Sequence, residues 1–154
     1  MTLTANKMTK SAAVLWLVWG VLHLWVLFEG LNQYLTGGTV AQWNMLIGGS
    51  AVPRDSFQMA SDAATLFGQG QLILNFTMNV GAAGILGLFV AWMMWKQPSW
   101  LAFLLGFVVI GVVDLSFLIL LVLSGVIAFS FPVILGPIVW FLAVLASVLG
   151  LRRP

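Results

Sequence analysis

Residues 11–35 read SAAVLWLVWGVLHLWVLFEGLNQYL and decide the class of fold. An α-helix rises about 1.5 Å per residue, so a run of this length can cross the roughly 30 Å hydrocarbon core of a bilayer. Three similar apolar runs follow at residues 66–95, 100–123 and 131–151. Backbone polar groups in lipid must be satisfied within the segment, and these runs do not alternate as membrane β-strands do. The sequence therefore predicts an all-α protein, a four-helix transmembrane bundle that forms a single integral membrane domain.

Composition supports the same class. Hydrophobic residues make up 62% of the 154 residues and charged residues only 6%, and a soluble domain of this size could not bury so much apolar surface. The chain has no cysteine, which excludes disulfides, thiol nucleophiles and thiolate metal sites. The net charge of +2 reflects membrane topology, and we predict no binding to nucleic acid.

The basic residues predict an orientation. In a four-helix bundle, five of them fall at the end that holds both termini: Lys7, Lys10, Lys96, Arg152 and Arg153. Arg54 alone falls at the other end. Because Lys and Arg near helix ends are retained in the cytoplasm, both termini are predicted to be cytoplasmic. We expect the cytoplasmic or inner membrane of a prokaryote rather than an organelle membrane.

The connection at residues 36–65 is too long for a simple linker. Trp43, Met45, Leu46 and Ile47 make part of it amphipathic. Two interpretations stay open: an interfacial segment that packs on the bundle, and a lid over it.

Several polar residues fall inside the apolar runs. A charged group costs about 2.5–3.5 kcal/mol at the centre of a membrane helix, so Glu29 and Asp114 require an explanation. Gln71, Asn75 and Asn79 are spaced by four residues and share one helix face. All of these groups fall in the half of the membrane distant from the termini. A second polar stripe lies on one face of the first helix, and the two stripes, facing inward, would form a pocket wall: Glu29, Asn32 and Gln33.

Three interpretations of these residues stay open: a satisfied polar core, a binding site for a hydrophobic ligand, and acid/base catalysis. The candidate catalytic residues are Glu29, Asp114 and His23. The candidate ligand-binding residues are Asn75, Asn79, Gln71, Trp140 and Trp19. One histidine and scattered carboxylates lack the spacing of a metal site, and we predict no metal and no cofactor.

Residues 20–31, GVLHLWVLFEGL, resemble the start of the EXPERA-domain family, which includes sterol isomerases. In that family a histidine of the first helix is followed by a Glu-Gly pair, as His23 is followed by Glu29 and Gly30, here with a separation two residues longer. Further matches in order are Gly111, Asp114, Gly136, Pro137 and Trp140. The second-helix glutamate of the family falls on Asn79, and its late fourth-helix Asn and Trp have no counterpart at residues 143–151.

The resemblance implies a four-helix pocket for a sterol-like, terpenoid or lipid molecule, with isomerase-type acid/base catalysis. Trp140 and a carboxylate would then stabilise a cationic intermediate. The alternative is a non-catalytic structural or assembly subunit of a membrane complex. A homodimer stays open as an assembly in either case.

Overall fold

The computed structural model of the chain describes the backbone of residues 3–152 and the side chains of residues 7–152. Four helices in this part of the chain are long and apolar enough to cross a bilayer. We name them α1 (Leu3–Leu46), α2 (Ala63–Lys96), α3 (Trp100–Val122) and α4 (Phe131–Leu151). Residues 3–152 contain no strand. The predicted all-α architecture with four spans is confirmed, and it indicates an integral, multi-pass membrane protein. Arg153 lies outside the described residues.

The ends of α2, α3 and α4 follow local sequence signals. Asp62 caps α2 by accepting a hydrogen bond from the backbone N–H of Thr65 at 2.8 Å, and this bond holds the pKa of Asp62 below its ordinary value of 3.8. Ser99 caps α3 by accepting from the N–H of Ala102. Pro132 occupies the first turn of α4, where its missing N–H leaves no helical bond unmade.

The first helix is longer than the predicted 11–35, because helical structure resumes after Gly38 and continues through residues 39–46 of the predicted connection. Gly38 interrupts α1 with φ 67° and ψ −160°, a conformation that favours glycine. Beyond it, Thr39 lies against Gly70, and the side chain of Gln42 donates to the hydroxyl of Thr77 at 2.8 Å. Thr77 is about 10 Å further along α2 than Gly70. Residues 39–46 therefore run back along α2, and we call them the returning helix.

The returning helix packs into the bundle. Gln42 within it and Ile47, the first residue after it, are fully buried. The main body of α1 packs against both α2 and α4. Small residues allow close approach of α1 to α2: a Cβ built on Gly20 would lie 2.8 Å from the carbonyl oxygen of Gly84. This approach fixes the depth of α1 relative to its neighbours.

The two ends of the bundle are distinct. At one end the two long connections pair, since Gly49 N–H donates to the carbonyl of Val126 at 3.0 Å and Ala51 N–H donates to that of Gly125 at 2.9 Å. At the other end Lys10 lies over the ring of Trp95, 4.3 Å from its centroid. We call these ends the connection face and the terminal face.

Helix α3 contains two π-helical stretches. Residues Leu105–Ile110 and Leu118–Val122 are π-helical, and they flank the regular α-helical turns of Gly111–Phe117. Single π-helical turns within α-helices are frequent at functional sites. Asp114 lies between the two.

Candidate functional site

Asp114 is a buried carboxylic acid in the membrane-spanning part of the bundle, with 1% of its surface exposed. It lies about 20 Å along α3 from Trp100 at the terminal face, within the roughly 30 Å of hydrocarbon. Removing a carboxylate from water at this depth is costly unless it is paired and hydrogen-bonded. The partners of Asp114 therefore define the candidate site.

Both oxygens of Asp114 face nitrogen atoms of α1. The indole Nε1–H of Trp19 donates to Oδ2 at 2.7 Å, and Nε2 of His23 lies 3.5 Å from Oδ1. Trp19 and His23 are four residues apart, so they share one face of α1. We call these three residues the buried cluster.

The imidazole of His23 is held in a defined orientation. Its ring stacks on the indole of Trp19 with centroids 3.6 Å apart, and Nδ1 lies 2.9 Å from the backbone carbonyl oxygen of Trp19. A carbonyl only accepts, so Nδ1 carries a proton and donates. In a neutral imidazole Nε2 would then present a lone pair to Oδ1. A hydrogen bond between Nε2 and Oδ1 would use one proton, carried by either of the two atoms.

Glycines of two other helices leave room for the histidine. A Cβ on Gly84 of α2 would lie 3.1 Å from Cβ of His23, and a Cβ on Gly136 of α4 would lie 3.1 Å from Cε1 of the ring. The side chain of His23 is 13% exposed, whereas that of Asp114 is 2% exposed. The imidazole is thus the accessible edge of the buried cluster, with the carboxylate behind it.

Two further tryptophans support this region. Trp140 Nε1–H donates to the carbonyl of Gly106 at 3.0 Å, and its ring lies against Gly111, one turn before Asp114. Trp16 Nε1–H donates to the hydroxyl of Ser147 at 3.1 Å. These indoles tie α3 to α4 and α1 to α4, which restricts movement around the buried cluster.

Glu29 is not brought to Asp114. Its carboxylate accepts from Nε2 of Gln33 at 2.6 Å, one turn closer to the connection face. From His23 it is about 9 Å along α1 and about 120° around it. The helix keeps this separation, so Glu29 is outside the buried cluster.

The predicted amide stripe also faces elsewhere. Gln71, Asn75 and Asn79 are exposed on α2, and Asn79 Nδ2 donates to Asn75 Oδ1 at 2.9 Å. The buried face of α2 consists mainly of small residues that allow α1 to approach: Gly70, Thr77, Gly81, Gly84 and Gly87. The amides fall outside that face, so the expected pocket wall of two inward-facing stripes is wrong.

Sequence reasoning missed the buried contact of Gln42 with Thr77 and a groove at the connection face. The groove has a volume of about 600 Å³ and is lined by Gln33, Ala41, Asn44, Met45 and Arg54. The Gly37-Gly38 pair was a signal that the chain could reverse there and bring the returning helix against α2.

Among residues 7–152 no group of three His, Asp or Glu side chains is arranged to hold a metal ion. Comparison with protein-family models, curated proteins and solved structures finds no match to this chain.

Proposed function

We propose that this chain binds a hydrophobic small molecule of sterol-like, terpenoid or lipid type inside the membrane, and that the buried cluster contacts the polar group of that ligand. The observation that carries the proposal is the approach of Nε2 of His23 to Oδ1 of Asp114 at 3.5 Å, which sets an imidazole and a carboxyl group side by side so that the two can share one proton. Ionisable residues within membrane spans mark ligand or proton sites by default. The resemblance to the EXPERA-domain family motivates the ligand class.

A purely structural role explains the buried cluster less well. A buried acid–base pair contributes little net stability, because desolvation offsets the attraction between its members. Apolar residues of similar volume would pack α1 against α3 at lower cost. The exposed edge of His23 and the flanking π-helical turns instead favour a site that exchanges a proton with a bound molecule.

The chemistry proposed for this site is an isomerase-type shift of a carbon–carbon double bond. The shared proton adds to one carbon of the alkene, which leaves a cation at the other carbon. The next carbon along the chain then returns a proton to the same pair of side chains. No proton is gained or lost overall, and the double bond moves by one position. Trp140 and a carboxylate would stabilise the cation, as the family resemblance implies.

The test is native mass spectrometry of gently solubilised protein, followed by extraction and identification of the small molecules that co-purify. We expect a stoichiometric sterol, terpenoid or lipid in wild type, lost in Asp114→Asn and in His23→Gln. Asp55→Asn is the matched control, because it makes the same substitution at an exposed acid of the first connection. Recovery of bulk phospholipid alone, or equal retention by folded Asp114→Asn, would refute the proposal.

The second candidate function is a non-catalytic subunit that assembles with a second copy of itself. The observation that favours it is the exposed stripe of Gln71, Asn75 and Asn79 on α2. Each amide both donates and accepts, so the stripe is complementary to its own copy across a two-fold axis.

The chain has no cysteine, so single cysteines can test this assembly directly. Oxidative cross-linking is expected to join two copies of Asn79→Cys but not two copies of Ile138→Cys, an exposed position on α4. Cross-linking at both positions to the same extent, or at neither, would argue against the interface. Cytoplasmic termini and a cytoplasmic or inner membrane of a prokaryote stay predictions. Reporter fusions at the C-terminus would check the orientation.

A further inference from the structure

The groove at the connection face is separate from the buried cluster. It is formed by Gln33 near the end of the main body of α1, by the returning helix and by Arg54 of the first connection. Gln33 lies about 35 Å along α1 from Lys10 at the terminal face, which is just beyond the roughly 30 Å of hydrocarbon. The Gln33 side of the groove is therefore at the depth of lipid headgroups.

Arg54 is fixed at the rim of this groove. Its Nε–H donates to the carbonyl of Ile47 at 3.2 Å, and its side chain lies over Gly48, where a Cβ would approach Nε to 3.1 Å. Gly48 has φ 124°, a value that other residues rarely adopt. The guanidinium is thus held in place before any ligand arrives, which lowers the entropy cost of binding.

The charge of Arg54 has no counter-ion among the side chains that the structure describes. Across residues 7–152 no carboxylate lies within 4.0 Å of its nitrogens, and no other basic side chain of that part of the chain is on the connection face. The predicted topology places the connection face outward, where Lys and Arg are uncommon. A single fixed arginine at that face therefore favours a binding role.

The rest of the lining matches a phosphate. An arginine fork binds phosphate oxygens in two-point contact, and the side-chain amides of Asn44 and Gln33 add N–H donors. One N–H of Gln33 is used by Glu29, which leaves the other. Ala41 and Met45 supply an apolar side suited to the carbon chain attached to the phosphate.

We infer that this groove binds a phosphate ester, with the phosphate against Arg54 and Asn44. The ester is carried either by the headgroup of a membrane lipid or by a small soluble molecule. The two sources share the same chemistry at Arg54, and the depth of the groove suits the lipid.

The experiment is a native mass spectrometry titration of delipidated protein in detergent, with short-chain phosphatidylglycerol, the matching diacylglycerol and glycerol 3-phosphate as probes. Phosphatidylglycerol is expected to bind wild type and to bind Arg54→Gln about tenfold more weakly, because a charge-assisted contact is lost. Arg152→Gln, the same change at the terminal face, is expected to match wild type. Arg54→Lys is expected to fall between, since it keeps the charge but loses the fork.

Competition by glycerol 3-phosphate at concentrations similar to the lipid would identify a soluble ester, and its failure to compete would identify the lipid. Should Arg54→Gln not fold, Asn44→Leu replaces it, with the same weaker binding expected. Binding of diacylglycerol as tight as that of phosphatidylglycerol, or equal phosphatidylglycerol affinity in wild type and the folded variant, would overturn the inference.

Discussion

Replacing Trp19 by phenylalanine tests the geometry of the buried cluster. The change removes the indole N–H that donates to Oδ2 of Asp114 at 2.7 Å. Hydrogen bonds to charged groups contribute about 1.5–3 kcal/mol, whereas those between neutral groups contribute about 0.5–1.5 kcal/mol. Trp140→Phe is the matched control, because it removes an indole N–H that donates to the neutral carbonyl of Gly106. Both indoles are buried, so the packing losses are similar.

The free energy of unfolding should therefore fall by about 1 kcal/mol more for Trp19→Phe than for Trp140→Phe. Reversible unfolding in mixed micelles, followed by circular dichroism, gives both values. The same pair of substitutions is then measured in an Asp114→Asn background. There the acceptor is a neutral amide, and the extra cost of Trp19→Phe should disappear.

The interpretation is wrong if Trp19→Phe and Trp140→Phe cost the same in the wild-type background. It is also wrong if the cost of Trp19→Phe is unchanged by Asp114→Asn. Either result would mean that the indole acts through packing alone.

Three further predictions concern the fold around the site. Gly136→Ala places a Cβ 3.1 Å from the ring of His23 and should lower the free energy of unfolding by about 1–3 kcal/mol. Gly68→Ala is the control, because open space surrounds Gly68 and alanine should raise the stability of the helix there. Thermal unfolding of the two variants measures the difference. Gly49→Ala would place a Cβ against backbone of the second connection, and faster hydrogen exchange across both connections is expected. Asp62→Ala should speed exchange in the first turn of α2. The pKa of Asp62 is lowered in the folded chain. Its capping contribution is therefore full above the ordinary pKa of 3.8 and is lost as the pH falls through the folded pKa. Below that pKa, the first turn of α2 in wild type should exchange as fast as in the variant.

The four spans were predictable because the physical requirement is simple: a helix must be long and apolar enough to cross the hydrocarbon. The α4 prediction of residues 131–151 agrees with the structure. The reversal at Gly38 was not predicted, since a glycine in an apolar helix does not by itself specify a left-handed conformation. The π-helical turns around Asp114 also leave no pattern in the sequence, because they arise from packing among helices.

The candidate site was predicted in part. Asp114 stood out in the sequence because a charged group is costly in lipid, and the structure places His23, another candidate, beside it. The roles assigned to these residues stay predictions. The positions of Asn75 and Asn79 were misjudged, because spacing by four defines a helix face but not its direction. The glycines at 81, 84 and 87 on the neighbouring face indicated which side of α2 receives α1.

The most direct test of the central claim uses the fact that His23 is the only histidine of the chain. Its two ring nitrogens can be observed by ¹⁵N NMR in bicelles without assignment of the rest of the protein. Three samples are compared: protein as purified, protein stripped with detergent, and stripped protein to which the extracted molecules are added back. We expect the Nε2 resonance of wild type to shift when the bound molecules are stripped and to return when they are added back. In Asp114→Asn we expect neither change. If neither the Nε2 nor the Nδ1 resonance differs between the three wild-type samples, no ligand is bound at the buried cluster.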